Sequence, residues 1–569
     1  MVHEPLTQQR SVPDAIFDAL AEGGIRYVLG LSGGLTGRLW KALYEHPVIR
    51  AIQVREESVG TKMAEAYGRM TGQPIVVMGQ GEWIAGNAGA GYLEALLGAS
   101  PMILLTEMTD GDTLSHHAPY QSGTGDYGTW DIRRSLSGST KRVMVSYDGA
   151  QAVQHVQLAL KHAMTGEPGP VAVVLHSSAV EGTVGPDSTP RIYGTEAYLP
   201  RPWQGIDEAA LERAAEALRG AERPVIIAGN GVRLSHAQDS LARLARAIDA
   251  PVATSASGKG VFSERDPLSI GPIGHFGWAS ANAVVGAADV VLAIGTKLAP
   301  HDTLDEHPAL IDPARQVIIQ ADVEPLNASW TFPVDHVLLA DAGYVMDRLA
   351  ESYASGGRKP GGNGLARAEE GRRAHPRADT KPTSDAPFAP QFIIQMIEEV
   401  VPEDTIITCD AGENRLFMMQ WYRAGAGGDY LQPAGGGGMG YAVSSALGAR
   451  LADPVRPVLA FCGDGGFGMS MHALMTAVQQ KLPIAVVVMN NGCLGWTLHS
   501  QGDTPVVSDL GNFDHAAIGR SLGCQGVRVS DAEELRVALK MVADLTEPLV
   551  IDVPTSLATS FADVKQILG

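Results

Sequence analysis

The chain has 569 residues, of which 45% are apolar and 19% charged, a composition that suits several folded domains and excludes a disordered or small-scaffold protein. Its net charge of −20 argues against nucleic acid or an anionic membrane as partner, because both are polyanions that need clustered Lys and Arg. Four cysteines without metal or redox spacing, no secretory leader and no run of about 18 apolar residues lead to the expectation of a reduced, cytoplasmic protein with no membrane span.

Ser11 and Pro13 open a helix that runs through Leu20 and stops at Gly23-Gly24. RYVLGL then reads as a strand and SGGLTG as its turn. Apolar runs at 51–54, 74–78, 102–105 and 171–175 repeat the pattern between helical stretches, so residues 1–190 are expected to form a parallel α/β domain. Glu57 follows the run AIQV and opens a helix, a place where the helix dipole alone stabilises a carboxylate by up to ~1 kcal/mol. Glu56, offset by one, is expected to face away. The segment 109–131 is polar, glycine-rich and long, the mark of a functional loop or of a surface excursion; it carries His116, His117 and Gln121.

RPVIIAG, PVATSASGKGVF, ADVVLAIGTKL and RQVIIQADVEPL read as strands, and LERAAEALRG and SLARLARAIDA as amphipathic helices, giving a second α/β domain over 191–354. Ser257-Gly258-Lys259-Gly260 is no P-loop, since no Gly stands at 253 and no Ser or Thr follows the Lys. Residues 355–387, rich in Gly, Pro and Arg, read as a linker.

In the last domain, 388–569, the stretch 458–496 reads as a strand, a glycine turn, a crossover helix over 469–481, a second strand and a polar stop. Asp464 lies just past the first strand and Asn491 just past the second, so two side-chain oxygens emerge at the edge where open α/β sheets bind ligands. A carboxylate plus an amide oxygen, with places left for water and phosphate, suits Mg²⁺. Gly463, Gly465 and Gly466 let backbone N–H groups approach a diphosphate at a helix start. Taken singly, each half has a plainer reading. The glycines also satisfy a dinucleotide pattern, although that pattern wants an acidic residue about 20 positions on, and a double Asn is a common turn. Upstream, four glycines before Met439 form either a flexible loop or a close approach of backbone to a ligand.

Gly-Asp-Gly after a strand, with Asn-Asn closing the next strand 27 residues after the Asp, resembles the cofactor motif of thiamine diphosphate (ThDP) enzymes. The chain looks like the group that contains acetolactate synthase, pyruvate decarboxylase, benzoylformate decarboxylase and benzaldehyde lyase. The resemblance implies three consecutive parallel-sheet α/β domains (pyrimidine-binding, central and diphosphate-binding), with Asp464, Asn491 and the carbonyl of Cys493 on Mg²⁺. Glu57 with AEAYGRMTGQP is similar to the family's Glu-x7-Glu/Asp-Gly-Tyr-Ala-Arg-x-Thr-Gly segment, which implies that Glu57 bonds N1′ of the aminopyrimidine and assists proton transfer there. Gly437 to Gly440 resembles the family's Gly-x-(Met/Leu/Ile)-Gly, which makes Met439 the wedge that bends ThDP and puts the Gly437 carbonyl on the 4′-amino group.

By the same resemblance Gln121 faces the substrate, His116-His117 matches a His pair able to relay protons, Trp496 lies near the substrate, and Ser32, Gly33 and Gly34 line the acceptor pocket, where Gly34 offers no acid or base. GQGEWIAGN departs from the family's glycine-proline-glycine turn, so Gly81 and Asn87 match it loosely. FAD or a nucleotide, held by the central domain of some members, is not expected here. The activity implied is a non-oxidative C–C lyase or carboligase on 2-keto acids or 2-hydroxyketones, with a 2-hydroxyacyl-CoA lyase or oxalyl-CoA decarboxylase type and a flavin-containing oxidase as alternatives. Glu57 lies in the first third of the chain and Met439, Asp464 and Asn491 in the last; in the family these come from different subunits, so the resemblance implies a homodimer or homotetramer with the active site between subunits.

Overall fold

The structure, a computed structural model, describes residues 3–108, 121–125, 129–199, 205–357, 363–377, 385–425, 429–433 and 435–565. They fall into two compact units: Met1–Arg201 with Gly435–Pro454 and Ser470–Leu482, and Pro202–Ala434 with Val455–Met469 and Pro483–Gly569. Among the described residues no helix is long and apolar enough to cross a membrane.

In the first unit a short antiparallel ladder pairs β1 (Arg10–Ser11) with β8 (Thr183–Val184). Its main sheet is built from β2 (Tyr27–Gly30), β3 (Arg50–Gln53), β4 (Ile75–Met78), β5 (Met102–Glu107), β6 (Arg142–Ser146) and β7 (Pro170–Leu175). The order is β3-β2-β4-β5-β7-β6 and every pair is parallel. The inner strands are apolar on both faces and fully buried, as helices on both sides of a parallel sheet require. Ser11 caps the first helix, Val12–Glu22, by accepting the Asp14 N–H, and Gly23 ends it. The helix Glu57–Thr71 packs along Ala442–Ala452, a helix that comes from the last third of the sequence yet belongs to this unit. Gly448 permits the approach, since a Cβ there would lie 2.0 Å from the Met63 carbonyl oxygen.

The second unit holds two parallel sheets. The central one comprises β9 (Pro224–Ala228), β10 (Val252–Thr254), β11 (Ser269–Pro272), β12 (Val290–Ile294), β13 (Val317–Asp322) and β14 (His336–Leu339), in the order β11-β10-β9-β12-β13-β14, that of doubly wound dinucleotide folds. The last comprises β15 (Ile406–Cys409), β16 (Tyr430–Leu431), β17 (Val458–Gly463), β18 (Ala485–Asn490), β19 (Gln525–Arg528) and β20 (Leu549–Pro554), ordered β16-β15-β17-β18-β20-β19. Counted within its own sheet, this order repeats that of the first unit.

Two expectations are corrected. The crossover is not one helix over 469–481 but two, Asp464–Ser470 and Ala473–Gln480, and Asp464 itself opens the first. Of the motif's glycines, Gly463 thus ends β17 while Gly465 and Gly466 lie in the helix's first turn. The stretch 355–387 is no plain linker, because its described part contains the helix Gly364–Ala374, with Ala368 wholly buried in the central core and Arg367 donating to the Pro224 carbonyl at 2.8 Å. The hydrophilic sequence GLARAEEGRRA hides a small buried face made of Gly364, Arg367, Ala368 and Gly371.

Candidate active site

In the second unit β15, β17 and β18 lie side by side, and their C-terminal ends present the residues singled out in sequence. Asp464, 6% exposed, accepts the Gly465 N–H at 2.8 Å on one carboxylate oxygen and the Gly492 N–H at 2.6 Å on the other. Burial pushes its carboxyl up to about 6, opposed by backbone N–H groups of Gly465, Gly492, Asn491 and Cys493. The two asparagines separate. Asn490 is committed to the fold, donating to the Phe513 carbonyl at 2.8 Å and the Asp552 carboxylate at 2.9 Å. Asn491 stays at the turn, where its Oδ1 accepts the Cys493 N–H at 3.1 Å.

Whether these groups fit a cation is decided by donor chemistry. Among the described residues no cluster of three or more His, Cys, Asp or Glu could hold a metal. Burial pushes the Cys493 thiol up to about 11, so its sulfur stays protonated at neutral pH and its carbonyl oxygen is the usable donor. Asp464, Asn491 and that carbonyl form an all-oxygen set that fits Mg²⁺ with water and phosphate completing it. The glycines meet a demand from the chain itself as well: a Cβ at 463 would lie 2.9 Å from the Asn414 amide nitrogen, and one at 466 would lie 2.7 Å from the Asp410 carboxylate.

Sequence reasoning missed Glu413 and His499, which flank this edge. Their side chains lie 2.6 Å apart, the Glu413 carboxylate also accepts the Phe561 N–H at 2.7 Å, and His499 Nε2 sits 3.0 Å from the Leu557 carbonyl. Trp496 stacks on Phe561, ring centroids 4.7 Å apart, so its ring is held against the C-terminal segment. Nothing in the sequence pairs Glu413 with a histidine 86 positions on.

At the strand ends of the first unit, Glu57 is 5% exposed and its Oε2 accepts the Asn87 amide N–H at 3.2 Å. Glu56 turns away to cap the helix through Ser58. Gly34 adopts φ +53°, and a Cβ there would lie 2.2 Å from a carboxylate oxygen of Glu107 and 2.8 Å from the Gln80 amide nitrogen. Gln80 donates to Gln121 at 3.4 Å. An acid therefore stands beside the position that Gly34 leaves bare, supplied by Glu107 at the end of β5; a Glu closing the apolar run MILLT was the available signal. Gly437 (φ +69°) is part of a glycine run bound to Glu94 in this same unit, and Met439 follows that run. His116 and His117 lie outside the described residues. The structure thus gathers Asp464, Asn491 and Cys493 in one unit, and Glu57, Gly34, Gln121, Gly437 and Met439 in the other.

At the central sheet's switch point, Gly229, Gly231 and Gly295 meet backbone to backbone. A Cβ on Gly229 would lie 2.2 Å from the Gly295 carbonyl oxygen.

Three family models match the chain in order: the thiamine pyrophosphate enzyme N-terminal TPP binding domain over residues 10–126, the central domain over 211–349, and the C-terminal TPP binding domain over 410–553. A probable acetolactate synthase large subunit of Methanocaldococcus jannaschii is 27% identical, covering 95% of this chain and 91% of its own. An acetolactate synthase large subunit of Parasynechococcus marenigrum is 29% identical over 95% of this chain and 86% of its own. A sulfoacetaldehyde acetyltransferase of Alcaligenes xylosoxydans xylosoxydans is 26% identical over 87% of this chain and 84% of its own. With all three domain models in sequence order on three parallel sheets, the chain belongs to the thiamine diphosphate-dependent enzymes of the acetolactate synthase and decarboxylase type.

Proposed function

We propose that this enzyme is a Mg²⁺-dependent, non-oxidative C–C lyase or carboligase acting on 2-keto acids or 2-hydroxyketones. The observation that carries the reading is the pairing of Asp464 and Asn491 at two adjacent parallel strand ends, joined by the hydrogen bond from Gly492 to Asp464. Asp464, Asn491 and the Cys493 carbonyl would hold Mg²⁺, and Gly463, Gly465 and Gly466 would lie along the coenzyme's diphosphate. Bound ThDP supplies a nucleophilic carbon and an electron sink for breaking a carbon–carbon bond. Glu57, steadied by Asn87, would exchange a proton with the aminopyrimidine ring nitrogen. Met439 would pack against the bent coenzyme, with the Gly437 carbonyl toward its amino group. Gln121 would orient the substrate carbonyl, His116 and His117 would move protons, and Gly34 and Trp496 would bound the substrate. Relatives named as acetolactate synthases support a 2-keto acid donor.

A second copy completes the site in this reading. The glycine run before Met439 is tied through Glu94 to Arg69, and Arg69 stands twelve residues, or about 18 Å of helix, beyond Glu57. The wedge and the carboxylate of one chain are thereby kept apart, which supports a homodimer or homotetramer with each site shared.

The test strips the protein of cation and coenzyme and restores both. It then measures CO₂, aldehyde and 2-hydroxyketone released from a panel of 2-keto acids and 2-hydroxyketones. Asp464→Asn is expected to weaken Mg²⁺-dependent ThDP binding by on the order of tenfold or more. Unchanged binding in that variant, or no turnover of any compound in the panel, would overturn the reading.

A further inference from the structure

Four consecutive glycines should leave a segment without a preferred shape, since each loses more conformational freedom on ordering than any other residue. Here the run is gripped. The Glu94 carboxylate accepts three successive backbone N–H groups, those of Gly435 (2.9 Å), Gly436 (2.7 Å) and Gly437 (3.2 Å). Glu94 is itself 3% exposed and lies 3.4 Å from the Arg69 guanidinium, which pairs with Glu65 at 2.5 Å. Glu65 in turn accepts the Tyr441 hydroxyl at 2.6 Å and the Ser100 hydroxyl at 2.9 Å. Two buried carboxylates thus share one cation. The surplus negative charge is spread over three amides and two hydroxyls, the kind of solvation a buried anion requires. The points where the network holds this segment, Gly435 to Gly437 on Glu94 and Tyr441 on Glu65, bracket Met439 from both sides along the chain. A Cβ at Gly435 would come within 2.6 Å of Leu97, whereas Gly438 faces open space.

We infer that Glu94 is a positioning residue for the proposed coenzyme-bending segment: held by Arg69, its carboxylate gathers the amides of Gly435 to Gly437 and fixes the turn from which Met439 projects. The inference rests on the role proposed above for Met439. The carboxylate uses both of its oxygens on these amides, whereas an amide side chain offers one acceptor oxygen and turns an NH₂ donor toward the remaining N–H groups. Glu94→Gln keeps the volume, therefore, and loosens the grip.

Backbone hydrogen exchange over 433–441 reads this without turnover. Protected amides at Gly435 to Gly437 are expected in the wild-type holoenzyme, with exchange about tenfold faster in Glu94→Gln. With coenzyme saturating, kcat of Glu94→Gln is expected to fall by about tenfold while the substrate KM stays within about threefold, because a misaimed wedge harms the reacting geometry more than substrate binding. A purely structural carboxylate would lower Tm and leave kcat per loaded site intact, and that result overturns the inference. Freely exchanging amides in the wild type overturn it as well. If Glu94→Gln does not fold, Glu94→Asp, which keeps the charge but is one methylene short, is measured in the same two ways. Met439→Ala with full kcat would remove the role of Met439 and this inference together; an impaired Met439→Ala beside a fully active Glu94→Gln would remove the inference alone.

Discussion

Glu56 and Glu57 are chemically identical and adjacent, yet the start of one helix sends them to different work. At the N-cap, Glu56 has extended backbone, so its side chain folds back onto Ser58; Glu57, one residue into the helix, points inward to Asn87. Glu57→Gln retains the shape and the hydrogen bond from Asn87 while losing the ability to exchange a proton. It is expected to bind ThDP with near wild-type affinity and to lose at least about a hundredfold in kcat, as measured by calorimetry and steady-state kinetics. Full activity would exclude the proposed role. Asp302 illustrates a carboxyl with a different cost. It accepts the Ala256 N–H at 2.8 Å, and burial pushes its carboxyl up to about 6 from an ordinary 3.8. The folded chain therefore holds this proton more tightly than the unfolded one. The stability it contributes is complete below about pH 4 and is lost as pH rises to about 6. A difference of about two in pKa corresponds to about 3 kcal/mol. Asp302→Asn, which keeps an acceptor and cannot ionise, is expected to match the wild type near pH 4 and to have the higher Tm at pH 8. The same Tm difference at both pH values would contradict this.

At the scale of elements, what could be read was set by burial. The inner strands β4, β5, β7, β12, β13, β17 and β18 carry continuous apolar runs because helices cover both their faces, and each stood out in sequence. The strands that did not, β6, β11, β14 and β16 together with the two-residue β1 and β8, are all sheet edges. β6 and β14 are half-exposed and their sequences mix polar with apolar residues, β11 contains Gly and Pro, and β16 is two residues long. The positions of the candidate residues Asp464 and Asn491 at adjacent strand ends were legible since strand ends announce themselves. Glu107 and the Glu413–His499 pair were not, because contact between remote segments leaves no spacing to count. The helix Gly364–Ala374 failed for a third reason: its core-facing residues are Gly, Ala and Arg, which carry no apolar period. Its packing is nonetheless tight, with a Cβ at Gly371 lying 2.6 Å from Val284. Gly371→Leu is expected to destabilise the protein by about 1–3 kcal/mol through overpacking, and Glu370→Ala on the exposed side by no more than about 0.5 kcal/mol. Equal unfolding midpoints for the two variants would mean the helix is not held as described.

For the whole molecule the proposed sharing of each site between two subunits makes a prediction that needs no structure of the complex. Glu57 belongs to one compact unit and Asp464 to the other. If each site takes Glu57 from one subunit and Asp464 from its partner, Glu57→Gln and Asp464→Asn, assayed at limiting ThDP, are each severely impaired as homodimers but repair one another when mixed. In the mixed dimer the Glu57→Gln chain still offers Asp464 and the Asp464→Asn chain still offers Glu57, so one of the two sites is fully wild type and the other doubly defective. Random reassortment makes about half the dimers mixed, so about a quarter of wild-type activity is expected to return. If each chain builds its own site, every site in the mixture carries one lesion and nothing returns. Co-refolding or co-expressing the two variants with different affinity tags, isolating the mixed dimer and assaying it against both parents separates these outcomes by a wide margin. The result depends only on the pairing of subunits and not on the identity of the substrate, so any turned-over 2-keto acid or 2-hydroxyketone serves for the assay.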